Sequence, residues 1–183
     1  MTSFARLLLE EELDLELRDK AHRTPLLAIF HEPVLIQNPG LLGIFAVSLI
    51  GPGANIQATD LQGRLPLHYA AIHGNLDMTK FLLRKGAKDI LRDKAGKLAI
   101  HQALYMRHID VAGVIAAAGV GVYHPNKRGK TAESLARELG VRLDMSSLGS
   151  LLRENRLKIN KVGTLGSNRS SGKLGKRSAM NAE

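Results

Sequence analysis

His68 and His101 stand at matching places in two similar stretches and head the seven histidines of this chain. Imidazole is the side chain most readily recruited for proton transfer or metal binding near neutral pH, but neither histidine has the company such chemistry requires. His22, His31, His73, His108 and His124 form no His-x3-His pair and no His–acid spacing suited to zinc. With no cysteine, thiolate ligands and thiol nucleophiles are excluded. No serine lies in a G-x-S-x-G turn and no glycine run leads into Lys-Ser or Lys-Thr, so there is neither a nucleophile elbow nor a phosphate cradle. Gly51-Pro52-Gly53 reads as a turn joining two structural units, and Asp110, Glu133 and Asp144 read as scattered acids on helix surfaces. Activity must be argued from a site. The expectation is therefore a protein that is not an enzyme, with no cofactor, no metal and no small-molecule substrate.

The chemistry that remains belongs to the surface, and repeated elements have to position it. Residues 60–92 open on Asp60 and Gly63, run through Pro66, Leu67, His68, Ala70 and Ala71, and break at Gly74. They run again from Leu76 to Leu83 and stop at Gly86-Ala87. Pro66 suits a first helical turn, whose N–H would be unpaired anyway, and Gly86 suits a left-handed cap; two short helices follow. Moved forward by its own length, the stretch meets itself: Asp60 falls on Asp93 and Asn126, Gly63 on Gly96 and Gly129, His68 on His101, and Ala70 on Ala103 and Ala136. Moved back, Gly86-Ala87 meets Gly53-Ala54. A fixed period of this length marks stacked helix pairs, none of which can bury its apolar face alone.

These residues resemble the ankyrin repeat, whose pattern runs D-x-x-G-x-T-P-L-H-x-A-A and closes on L-L-x-x-G-A. The resemblance implies an all-α solenoid of stacked helix pairs joined by short β-hairpin turns. Its repeats occupy residues 19–59, 60–92 and 93–125, with a degenerate terminal repeat at 126–155. The usual Thr before Pro is Leu65 and Leu98 here, so the hydroxyl that would bond the repeat's own His is missing from both. Glu133 and Ser134 replace Leu and His in the last repeat, as suits a polar outer cap. Thr24-Pro25-Leu26 begins the first full repeat with Leu27 in the His position. Eight extra residues then fall within 31–40, an insertion expected to leave the stack as a surface loop, with Val34-Leu35-Ile36 either folded back or offered to a partner. Residues 1–18 are expected to form an N-terminal capping helix with Glu10, Glu11 and Glu12 in solvent. The run Leu17-Arg18-Asp19-Lys20-Ala21 recurs at Leu91-Arg92-Asp93-Lys94-Ala95.

In proteins of this kind the turns project as fingers, and their tips join the exposed flank of each first helix in a concave binding face. The resemblance places Lys20, Arg23, Arg64, Lys94, Lys97, Lys127, Arg128 and Lys130 at or beside the tips. Ile72, His73, Tyr105 and Met106 then lie at the variable end of the first helices. Asp19, Asp60 and Asp93 fall where the turn itself is served, and His68 and His101 where the ring satisfies backbone groups. The expected function is a non-enzymatic adaptor or structural subunit whose basic tips receive an acidic or phosphorylated protein segment, the cations steering and Tyr105 with Met106 anchoring. The plainer alternative is that the lysines serve solubility.

Charge is unevenly placed in a chain of net +9. Residues 1–155 hold 19 Lys/Arg against 16 Asp/Glu, and residues 156–183 hold seven against one. That tail, with Arg156, Lys158, Lys161, Arg169, Lys173, Lys176 and Arg177, is rich in Gly and Ser and has no aromatic residue, so it is expected to be flexible. It offers a second class of function: contact with RNA phosphates or with an acidic surface such as tubulin tails. Without aromatics, base stacking is not expected. The first residues show no cationic stretch followed by an apolar one, and the ten apolar residues 41–50 are about half of a bilayer span. A cytoplasmic protein is expected, with a cytoskeletal or nuclear place as the alternatives, and without membrane contact.

Overall fold

Proline and glycine punctuate the computed structural model, which describes residues 14–88, 90–119, 121–141 and 143. The helices, in chain order, are α1 Pro25–Ala28, a 3-10 turn Ile29–His31, α2 Pro33–Gln37, α3 Pro39–Ile50, α4 Pro66–Ile72, α5 Leu76–Arg84, α6 Ala99–Tyr105, α7 Ile109–Ala117 and α8 Ala132–Glu138. Pro66 starts α4 behind an extended Leu65, and the chain reverses at Gly74, φ +65°. Asn75 then caps α5, its side chain accepting from the Met78 N–H at 2.9 Å, the arrangement that satisfies one orphan donor of a helix start. At the far end Gly86 takes φ +91° and the Ala87 N–H donates to Leu82 O at 2.9 Å, closing α5 as the glycine cap required.

The first repeat differs from what its sequence suggested. Its eight extra residues are not a surface loop. Pro33 ends one segment and opens α2, and Pro39 opens α3, because proline is tolerated at a first helical position as readily as it stops a helix. Glu32 ahead of Pro33 is extended, with ψ 113°, as the residue before proline prefers. The apolar centre splits with helical phase: Leu35 is 7% exposed and Val34 57%.

The 3-10 turn that follows α1 packs on α4, α4 on α6 and α6 on α8 in one layer, with α3, α5 and α7 in the other. Leu26, Leu67, Leu82, Ile100, Ile115 and Leu135 are buried between them, each worth about 1.5–3 kcal/mol relative to exposure. Among the described residues no strand is assigned, and the expected β-hairpins are reduced to hydrogen-bonded turns. The turns touch through single backbone bonds, Leu61 N–H to Ala21 O, Lys94 N–H to Gln62 O and Lys127 N–H to Gly96 O, at 3.2, 2.8 and 3.2 Å. Gly63, Gly96 and Gly129 sit at equivalent bends, with φ of 70°, 73° and 73°.

At the start, residues 1–13 of the expected capping helix lie outside the described residues, and residues 14–18 are a turn and irregular chain rather than helix. Asp14 Oδ1 accepts the Glu16 N–H and Arg18 Nη1 reaches Thr59 O at 2.7 Å, so this segment is tied to the next finger instead of coiling. Arg92, in the second copy of the same five-residue run, does the same to Pro125 O. Residues 144–183, with Asp144, Leu148, Leu151, Leu152 and the whole basic tail from Arg156 to Arg177, also lie outside the described residues.

Candidate functional site

Each finger begins on a residue whose side-chain oxygen holds the turn. Asp19 Oδ1 accepts from the N–H groups of Ala21 and Arg23, Asp60 Oδ1 from Gln62 and Arg64, Asp93 Oδ1 from Lys97, and Asn126 Oδ1 from Arg128 and Lys130. These side chains pre-empt the local backbone bonds that would otherwise go to water. Asp60 spends its second oxygen on the Tyr69 hydroxyl, and Asp93 on Gln102 Nε2 at 2.7 Å. Burial first, then the Asp60 carboxylate, pushes the Tyr69 hydroxyl up to about 12.

Behind the fingers two histidines lock successive repeats. His68 Nδ1 accepts the Leu65 N–H at 3.2 Å while its Nε2–H donates to Lys97 O at 3.1 Å. His101 repeats this with Leu98 N–H and Lys130 O, at 3.2 and 3.1 Å. Because Nδ1 accepts, the ring is the neutral Nε2–H tautomer, and burial lowers both pKa values, that of His101 to about 4. Their place is structural. His73 and His108 make a second ladder, their Nε2–H groups donating to Phe30 O and Ile72 O, both at 3.1 Å.

Of the cations and apolar residues expected at the face, Lys97, Tyr105, Lys127 and Arg128 come together. With Ala95 and Asn126 they line a cleft of about 330 Å³ between the third and fourth fingers. Lys97 Nζ lies 4.5 Å from the Tyr105 ring centroid, within cation–π range. Lys127 Nζ donates to Lys94 O, so the exposed Lys94 borders the same cleft. Met106 follows Tyr105 and is 49% exposed. The other expected residues are engaged elsewhere in the stack. Arg64 lies over the Tyr69 ring with Nε 3.9 Å from Asp93 Oδ2, and Lys130 pairs with Glu138. Ile72 is half-buried and gives its carbonyl to His108, and His73 stacks on Tyr69.

Two features were not anticipated. Asn126 is a wall of the finger cleft; the visible signal was its place in the Asp60–Asp93–Asn126 series. On the opposite layer Pro39, Gly43, Ile44, Val47, Met78 and Phe81 help line a more apolar cleft of about 460 Å³ between α3 and α5, with Ile44 and Val47 56% and 52% exposed. A helix apolar nearly all round, such as α3, was its signal. Among the described residues no three His, Asp or Glu side chains are grouped to hold a metal, and no helix is long and apolar enough to cross a membrane.

Stacked helix pairs, a turn at each junction held by an Asp or Asn, and a recessed face between turns define a helical-repeat binding module. A family model described as three copies of the ankyrin repeat matches residues 36–136, more than half of the chain, and the chain belongs to the ankyrin-repeat family. It is 44% identical over 54 residues to the Ankyrin repeat and LEM domain-containing protein 1 homolog of Caenorhabditis elegans, covering 30% of this chain and 8% of that protein. It is 32% identical over 77 residues to diacylglycerol kinase iota of Mus musculus, covering 40% and 7%. It is 35% identical over 65 residues to Ankyrin repeat protein nuc-2 of Neurospora crassa, covering 35% and 6%. The matched stretch is thus under a tenth of each of these relatives. Ankyrin repeats are protein–protein interaction modules and in general non-catalytic.

Proposed function

We propose that this chain is an adaptor or structural subunit whose third and fourth fingers receive an acidic or phosphorylated segment of a partner protein. One observation carries the reading: Lys97, Lys127 and Arg128, drawn from two consecutive fingers, share one cleft with Tyr105, and among the described residues no acidic side chain lines it. Cations set in a recess attract an anionic segment over several ångströms and speed its encounter. Tyr105 and Met106 supply the apolar contact that area-based anchoring needs.

The test is binding of a fluorescein-labelled Glu-rich peptide to the full chain by fluorescence anisotropy across a salt series. The quadruple reversal of Lys94, Lys97, Lys127 and Arg128 to Glu should weaken binding by about a hundredfold, since reversal turns each attraction into a like-charge contact. Circular dichroism controls for folding. Equal binding by the folded reversal would overturn the reading.

A further inference from the structure

We infer that this same cleft is built for a phosphate group carried on a protein segment, with Asn126 supplying the donor that distinguishes it; the inference rests on the docking reading above. The four fingers start on Asp19, Asp60, Asp93 and Asn126. All four use one oxygen to hold the turn, and it is the second atom that differs. Asp19 Oδ2 accepts from Arg23, Asp60 Oδ2 from Tyr69 and Asp93 Oδ2 from Gln102. Tyr69 and Gln102 each stand nine residues beyond their Asp, and nine residues beyond Asn126 stands buried Leu135, which offers no polar atom. Asn126 Nδ2 has no hydrogen-bond partner among the described residues, on a side chain that is 6% exposed and lines the cleft. Two N–H groups on Oδ1 settle which amide atom is which. Where the earlier fingers carry a carboxylate, the fourth carries an amide N–H donor on the wall of the cleft.

The cationic walls are set to match. The Lys127 stem crosses Gly96, where an added Cβ would fall 1.9 Å from Lys127 Cγ, and its Nζ, donating one proton to Lys94 O, retains two. Lys97, Lys127, Arg128 and the Asn126 amide offer more donors than the two oxygens of a single carboxylate require. A phosphate monoester brings three acceptor oxygens and a charge of about −1.5 to −2, and its bonds to cations are of the strong, charge-assisted kind. A protein segment is favoured over nucleic acid because Tyr105, the one aromatic lining residue, has Lys97 Nζ over its ring at 4.5 Å, where a base would stack.

The experiment uses the full chain and three labelled heptapeptides that differ only at the centre: phosphoserine, glutamate or serine. Fluorescence anisotropy should give about tenfold tighter binding for phosphoserine than for glutamate, a difference of about 1.4 kcal/mol. Asn126→Asp restores the residue of the other three fingers and keeps the turn, so its melting temperature should hold while the phosphoserine preference disappears. Arg128→Gln, at an exposed tip, should weaken the phosphoserine peptide more than the glutamate peptide without touching stability. Equal affinity for phosphoserine and glutamate, both lost in the quadruple reversal, would overturn the phosphate assignment and leave the acidic-segment reading standing. An unchanged preference in Asn126→Asp would overturn the role of Asn126. Competition by inorganic phosphate or by a single-stranded RNA oligonucleotide as effective as the phosphopeptide would overturn the protein segment as ligand. No binding of any peptide to the unaltered chain would overturn both readings.

Discussion

The first repeat and the two central ones solve the same packing problem with opposite chemistry. In the central pair, His68 and His101 pass a hydrogen bond to the next finger and fix the register of the stack by polar pairing. In the first repeat the same position is Leu27, buried, so no ring reaches the next finger from it, and apolar contact takes the place of that bridge. The loss is visible one turn earlier. Thr24 keeps the family's hydroxyl without its histidine, and Thr24 Oγ1 is buried with no partner among the described residues. Leu65 and Leu98 lack the hydroxyl, and there the backbone N–H bonds the ring instead. The Thr–His pair is therefore separable: a stack tolerates either half, provided the histidine, where present, reaches the next repeat.

The sharpest way to break this contrast is His101→Leu, which puts the first repeat's residue into the third. It strands the Leu98 N–H and Lys130 O in the interior and should cost about 3 kcal/mol in urea unfolding, since each buried unpaired group costs about 1–3 kcal/mol. Stability equal to the unaltered chain would mean that the histidine bridges do not hold the register. Gly74→Ala should cost about 2 kcal/mol, from its positive φ together with a Cβ placed 2.5 Å from the His108 ring. Arg107, at the equivalent place in the next repeat, adopts φ 63° with a full side chain, so the collision with His108 decides the difference between the two positions.

Acid sharpens the comparison further. Burial lowers the folded pKa of His101 from 6.5 to about 4, and those of His68 and His73 also fall. The unfolded chain then binds more protons below pH 6.5, so the contribution of His101 is complete above that pH and is lost as pH falls toward about 4. Melting temperature should drop over that window, and less steeply in His101→Leu. Amide exchange should accelerate in α4 and α6 before α1, which has no such ring. The smallest effect is expected of Thr24→Val, neutral or stabilising by up to about 1 kcal/mol, because it removes an unpaired buried hydroxyl. Differential scanning calorimetry resolves it, and a clear loss would mean that the hydroxyl has a partner.

The central repeats were legible because their signals are local and periodic: the finger glycines, the Asp that closes each turn and the histidine near the start of each first helix all recur at one constant offset. The first repeat was less legible because Pro33 and Pro39 read equally as helix stops and helix starts, and only packing decides between them. The site was legible as a list of tip residues but not as a constellation. Whether Lys130 faces Glu138 or the cleft, and whether His73 meets Phe30 or solvent, depends on side chains from neighbouring elements. Asn126 was visible in the Asp series, but an amide without a partner among the described residues follows only once Leu135 occupies the position of Tyr69 and Gln102.

The same drift along the stack that replaces a histidine in the first repeat replaces an acid in the fourth finger, and there we propose a site. Chemical-shift mapping of the isotope-labelled full chain, titrated with the phosphoserine heptapeptide, tests this most directly. Shifts should centre on Lys97, Tyr105, Asn126, Lys127 and Arg128, including the Asn126 side-chain amide. Shifts centred on Ile44, Val47 and Phe81 in the outer cleft, with the finger residues unmoved, would contradict it.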